Sequence, residues 1–158
     1  VAEQMAIEIL SPREQAKLRR AARCAALTLA HVKSKLSAGV TTAEIDRWVR
    51  EHTKSSGAKP SQLGYHGFPA AVCTSRNDVV CHGIPRADEV LCDGDIINVD
   101  VTSELDGFHG DLSETIAIGA LSREAAHGTD VWSFAMARAS ATSAPPSTRS
   151  PRARVARS

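Results

Sequence analysis

From Ile96 to Thr102 the chain alternates side-chain character residue by residue, and Asp106-Gly107 follows before a second run from Phe108 to Ile116. Period-two alternation is the mark of a half-buried strand, and an Asp-Gly pair is a strong signal for a tight hairpin turn. The spacing therefore predicts an antiparallel hairpin. One face holds Ile97, Val99 and Val101 and continues as Phe108, Leu112 and Ile116; the other holds Asn98, Asp100 and Thr102 and continues as His109, Asp111 and Ser113. A two-residue Asp106-Gly107 turn makes Asp100 and Asp111 diagonal neighbours, whereas a four-residue loop from Glu104 to Gly107 sets them directly opposite. Either register leaves both carboxylates on one face, and only a bulge would part them. Carboxylates held this close repel unless they share a proton or a cation neutralises them. Spacing alone leaves three readings open: a solvated polar face, a divalent-metal site, or a carboxylate acid/base pair.

Upstream the period changes. Ser11-Pro12-Arg13-Glu14 joins an N-cap serine, a proline at the first helical position and a glutamate three residues after the cap, which predicts a helix start. Leu18, Ala22, Ala25, Leu29, Val32 and Leu36 then recur in steps of three and four, predicting one buried helical face that runs to Gly39. Thr41-Thr42-Ala43-Glu44 offers a second capping box, with Val40 placed to staple against Ile45. Its stripe of Ile45, Trp48, Val49 and His52 ends at Ser55-Ser56-Gly57. Beyond Pro60, short β-branched segments separated by Gly and Asp predict strands.

Nineteen Lys and Arg against eighteen Asp and Glu give a net charge of +1, which argues against affinity for nucleic acid or a membrane surface through bulk charge. No apolar run approaches the roughly 18 residues of a membrane span. The opening Val1–Met5 lacks a basic region leading into an apolar stretch, so no secretory signal is expected. Cys24, Cys73, Cys81 and Cys92 lack the density of a disulfide scaffold. A reduced, cytoplasmic protein is the expectation.

The composition breaks near His127. Residues 128–158 hold seven Ala, six Ser, five Arg and three Pro, with Asp130 as their one acid, so they carry +4 against −3 for the rest. Such a segment buries too little apolar surface to offset its ordering, and it is expected to be disordered. It is read either as a basic tail for a partner or, preferably, as the product of a GC-rich gene in a shifted frame. The expected division is residues 1–127 as the folded unit and 128–158 as the tail.

Four segments carry a resemblance: Gly64-Tyr65-His66-Gly67-Phe68-Pro69, Asn77-Asp78-Val79-Val80-Cys81-His82-Gly83-Ile84-Pro85, Asp93 through Thr102, and Asp106-Gly107-Phe108-His109-Gly110-Asp111. In this order and spacing they resemble type I methionine aminopeptidases over roughly residues 5 to 126. Met5 through Pro12 is similar to the family's start, leaving residues 1–4 as an upstream extension. The resemblance implies an α/β (α+β) pita-bread fold, here its N-terminal half. It implies a cytoplasmic hydrolase that removes the initiator methionine from nascent polypeptides, which it meets at the ribosome. Two divalent ions (Co, Mn, Fe or Zn) serve the family's site. Asp100 matches a bidentate ligand of the first metal and Asp111 the aspartate bridging both. His82 matches a histidine that contacts the scissile peptide or its tetrahedral intermediate. Tyr65, Phe68 and Cys73 match the wall of the methionine pocket, where an apolar, polarizable lining suits a thioether. Asn77 and Val79 match positions near a secondary monovalent-cation site.

Other histidines and thiols receive plainer readings. His66 and His109 are expected to support local structure, and His31 and His52 to pack on helices. Cys24 and Cys92 are expected to be buried thiols. A Cys81-His82 nucleophile pair is discounted because neighbours on a strand point to opposite faces. The family's further ligands, a histidine and two glutamates, and its second substrate histidine have no counterpart after Asp111, where only Glu114, Glu124 and His127 remain. A truncated, feebly active chain is therefore expected. Two alternatives stand beside it: a non-catalytic binding module derived from the same fold, and a proline-specific or dipeptide-cleaving relative.

Overall fold

The computed structural model describes residues 9–123 and 126. The expected upstream extension and the expected disordered tail both lie outside the described residues. Helix α1 spans Pro12–Lys33 and helix α2 spans Thr42–Ser55. Both open with complete capping boxes, Ser11 with Glu14 and Thr41 with Glu44. In each, the cap hydroxyl accepts the third backbone N–H while the glutamate accepts from the cap residue, an arrangement worth roughly 1 kcal/mol per helix.

Among the described residues four strands follow, β1 (Lys59–Pro60), β2 (Cys73–Arg76), β3 (Ile96–Leu105) and β4 (Phe108–Ala117), with a 3-10 turn at Tyr65–Gly67. All pairing is antiparallel and centres on β3. Strand β4 runs along one edge of β3 for its whole length, and β1 and β2 lie end to end along the other. The helices cover one face of this sheet. Ala25, Leu29, Val32, Ile45 and Val49 meet Ile97, Val99, Val101 and Ile116 in one core, with Leu36 and Val40 packed against it. The opposite face of β3 and β4 carries the polar set.

Four expectations need correction. The buried face of α1 is Ala21, Cys24, Ala25, Thr28, Leu29 and Val32; Ala22 and Leu18 are exposed. The cause is Gly110, whose missing side chain lets β4 lie directly against the Ala21–Ala22 backbone: a Cβ there would stand 2.3 Å from Ala21 C. Ala21 thus takes the inward position, and the first turns of α1 run past the hairpin end, where Arg20 pairs with Asp106 and Lys17 lies over the Phe108 ring.

Second, α1 stops at Lys33 rather than at Gly39. The Ser34 hydroxyl donates to the His31 carbonyl (2.8 Å) and its N–H to Ala30 O (3.1 Å), which satisfies carbonyls of the last turn. Leu36 then turns inward to the core. Third, Cys92 is exposed, and only Cys24 of that pair is buried. Fourth, the residues from Asn77 to Asp95 are largely irregular, so the strand argument against Cys81-His82 does not hold there. His31 and His52 do pack between helices, their rings stacked with centroids 4.6 Å apart.

Candidate metal centre

The hairpin turn is the two-residue form. Asp106 and Gly107 both take left-handed backbone angles (φ 53° and 81°), as a tight turn matched to strand twist requires. Leu105 therefore faces Phe108, Thr102 faces Asp111 and Asp100 faces Ser113. Asp100 and Asp111 are diagonal neighbours on the face turned away from the helices. Burial, first, and the charge of diagonal Asp111 push the Asp100 carboxyl up to about 6. A hydrogen bond from its protonated form to Asp111 adds to the rise, and nearby His82 pulls the other way.

Thr102 fixes the second carboxylate: its hydroxyl donates to Asp111 Oδ1 at 2.8 Å. Cys73 stands directly across β3 from Asp100. Burial, then the charge of Asp100, with lesser effects from Cys81 and Asp111, pushes its thiol up to about 11.

Residues 61–69 arch over this face and are tied down at their start. Ser61 N–H donates to Thr102 O (2.9 Å), and Gln62 Nε2 donates to Asp100 O (2.9 Å). The arch carries Tyr65, whose side is open to solvent, and Phe68. His82 arrives on a left-handed backbone (φ 54°) and is followed by a position that only glycine fills. A Cβ at Gly83 would stand 2.0 Å from Thr74 O, yet this contact is what lets Thr74 N–H reach Gly83 O at 2.8 Å. The strained loop is thereby held against β2.

These pieces enclose a cleft of about 830 Å³ lined by Tyr65, Phe68, Cys73, His82, Asp100 and Asp111, together with Ser61, Gln62, His66, Ile84, Thr102 and His109. All six of the residues singled out for catalysis, substrate or metal thus line one cleft. Asn77 and Val79 do not line it. The Asn77 side chain donates to Asp95 (2.8 Å) and accepts from Ile96 N–H (3.1 Å), and Asp95 also pairs with Arg76. Thr102 was placed on the Asp100 face by alternation. Nothing in the local pattern pointed to Ser61 or Gln62.

The donor chemistry fits a divalent cation. Two carboxylates share one face, one of them is held unfavourably charged at neutral pH, and among the described residues neither pairs with Lys or Arg. Such oxygens suit hard or borderline divalent ions. Among the described residues, however, no group of three or more His, Cys, Asp or Glu converges as a metal shell. The fit is therefore that of part of a ligand set.

A two-carboxylate cleft on this fold defines a class. The chain belongs to metallopeptidase family M24, whose sequence model matches residues 16–151. Among its relatives, methionine aminopeptidase A of Synechocystis sp. is 49% identical over 113 residues, covering 72% of this chain and 45% of the relative. The methionine aminopeptidase of Escherichia coli is 46% identical over 116 residues, covering 73% and 44% respectively. The crystal structure of methionine aminopeptidase from Rickettsia prowazekii matches with a TM-score of 0.81 at 38% identity, over 84% of this chain and 53% of that one. That from Thermotoga maritima matches at 0.82 and 30% identity, over 85% and 54%. The fold is the pita-bread fold, and the chain spans less than half the length of these sequence relatives.

Proposed function

We propose that this chain supplies the N-terminal half of a metal-dependent aminopeptidase that removes the initiator methionine from nascent proteins in the cytoplasm, at or near the ribosome. The observation that carries the reading is the pairing of Asp100 and Asp111 in the wall of a cleft also lined by Tyr65, Phe68, Cys73 and His82. Residues 1–127 form the catalytic-half unit and residues 128–158 an appended tail.

Asp100 and Asp111 would hold the divalent ions, two of them and drawn from Co, Mn, Fe or Zn. Bound there, such ions lower the pKa of a water and polarise a peptide carbonyl. Tyr65, Phe68 and Cys73 would receive the methionine side chain, the Cys73 thiol staying protonated at neutral pH. His82 would donate a hydrogen bond to the oxygen on which charge develops, or to the departing amide. Thr102 keeps Asp111 in place, and Gln62 keeps the arch against Asp100.

A panel of Met-Ala-Ser and Xaa-Pro peptides, assayed with and without divalent cations, tests this reading. Slow, cation-dependent release of methionine from Met-Ala-Ser is expected, with His82→Ala lowering the rate about 100-fold. Preferential Xaa-Pro cleavage, or release that ignores cations, would contradict it. That no group of three or more ligating side chains converges among the described residues favours one other reading, a non-catalytic module. Cation binding with no hydrolysis of any peptide would select that reading.

A further inference from the structure

One histidine of the cleft has a fixed orientation and an unassigned nitrogen. Ser61 follows β1 immediately, and its backbone N–H is tied to Thr102 O (2.9 Å). From that anchored position its Oγ lies 2.8 Å from His109 Nδ1. His109 is exposed to solvent, lines the cleft, and precedes Asp111 by two residues on the same face of β4. Cys73 stands opposite Asp100, whereas His109 stands opposite Glu104. The thiol wall and the imidazole therefore lie at opposite ends of the carboxylate pair.

We propose that His109 is a substrate-contacting residue that reads the peptide main chain beyond the scissile bond; this rests on the aminopeptidase reading above. In this proposal the Ser61 hydroxyl donates to Nδ1, which would leave the ring proton of the neutral tautomer on Nε2. A ring pinned at one nitrogen presents the other in a set direction, and a protonated Nε2 suits a carbonyl oxygen. Two residue steps along β4 lead from Asp111 to His109, about 7 Å. An extended peptide advances about 3.3–3.6 Å per residue. A peptide bond held at the carboxylates and running away from Cys73 brings its chain to His109 roughly two residues downstream. Methionine alone does not reach it.

The test compares methioninamide with Met-Ala-Ser-Ala amide, each titrated calorimetrically into the full chain with Mg2+ at mildly alkaline pH. His109→Ala and Ser61→Ala are expected to weaken the tetrapeptide roughly 3- to 10-fold, the range of one hydrogen bond, and to leave methioninamide unchanged. His109→Gln, which keeps a donor, should recover part of the loss. On the wild-type protein, where folding of a variant is not at issue, the His109 Nε2 NMR signal should move with the tetrapeptide and not with methioninamide. Equal losses for both ligands, no loss for either, or a stationary His109 signal while the tetrapeptide binds would overturn the proposal and leave the aminopeptidase reading standing. A wild-type protein that binds neither ligand would overturn both.

Discussion

Asp100 carries its charge at a cost to the fold. Burial and the charge of diagonal Asp111 raise its carboxyl to about 6, above the value of a carboxyl in the unfolded chain. A group with a raised folded-state pKa gives its full stabilisation below the unfolded pKa and loses it as pH rises through the folded one. In metal-free protein, Asp100→Asn is therefore expected to stabilise the fold near neutral pH by about 1–2 kcal/mol, solvent screening included, and to raise its melting temperature. The gain should shrink between about pH 6 and 4 and vanish below. Thermal scans across that range check this, and a neutral-pH melting temperature that falls would contradict it. At Cys73, the thiol pushed up to about 11 and buried should alkylate more slowly with iodoacetamide than exposed Cys81 and Cys92, as peptide mass spectrometry would resolve. The carboxylates were legible because a strand's period puts Asp100 and Asp111 on one face in either register. Ser61 and Gln62 were not, because their contacts depend on where the arch of residues 61–69 returns to the sheet.

At the scale of elements, two glycines set how closely segments approach. Gly110 lets β4 touch the backbone of α1, and Gly83 lets the His82 loop touch β2. Gly110→Val should destabilise the chain by about 2 kcal/mol or more, since the new atoms meet backbone rather than a flexible side chain. A denaturant midpoint unchanged in this variant would refute that packing. Thr41→Ala, which removes the α2 cap, should cost roughly 1 kcal/mol in the same assay. Both helix starts and the hairpin turn were legible, because capping boxes and Asp-Gly act over three or four residues. On α1, Ala25, Leu29 and Val32 point inward as their spacing predicts, but Leu18 and Ala22 do not, because the inward position beside the hairpin is decided across the sheet, by Gly110. The stop at Lys33 has no glycine to signal it, because Ser34 caps the last turn with its side chain.

At the scale of the whole molecule, the helices cover one face of the sheet, and the cleft opens on the other. Three β-strand positions, Asp100, Thr102 and Asp111, and the tethered arch bring the carboxylates beside a wall able to receive a side chain. The M24 family and its pita-bread fold account for this division. The chain spans less than half the length of the sequence relatives described, and the described residues bring together two carboxylates rather than a full shell. The central claim is that this pair binds divalent cations. Calorimetric titration of the metal-free chain with Mn2+ tests it most directly, with Asp100→Asn and Asp111→Asn titrated alongside. Saturable binding to the wild-type chain that either substitution weakens at least tenfold is the expected result. Absence of saturable binding, or binding that both variants retain in full, would contradict it.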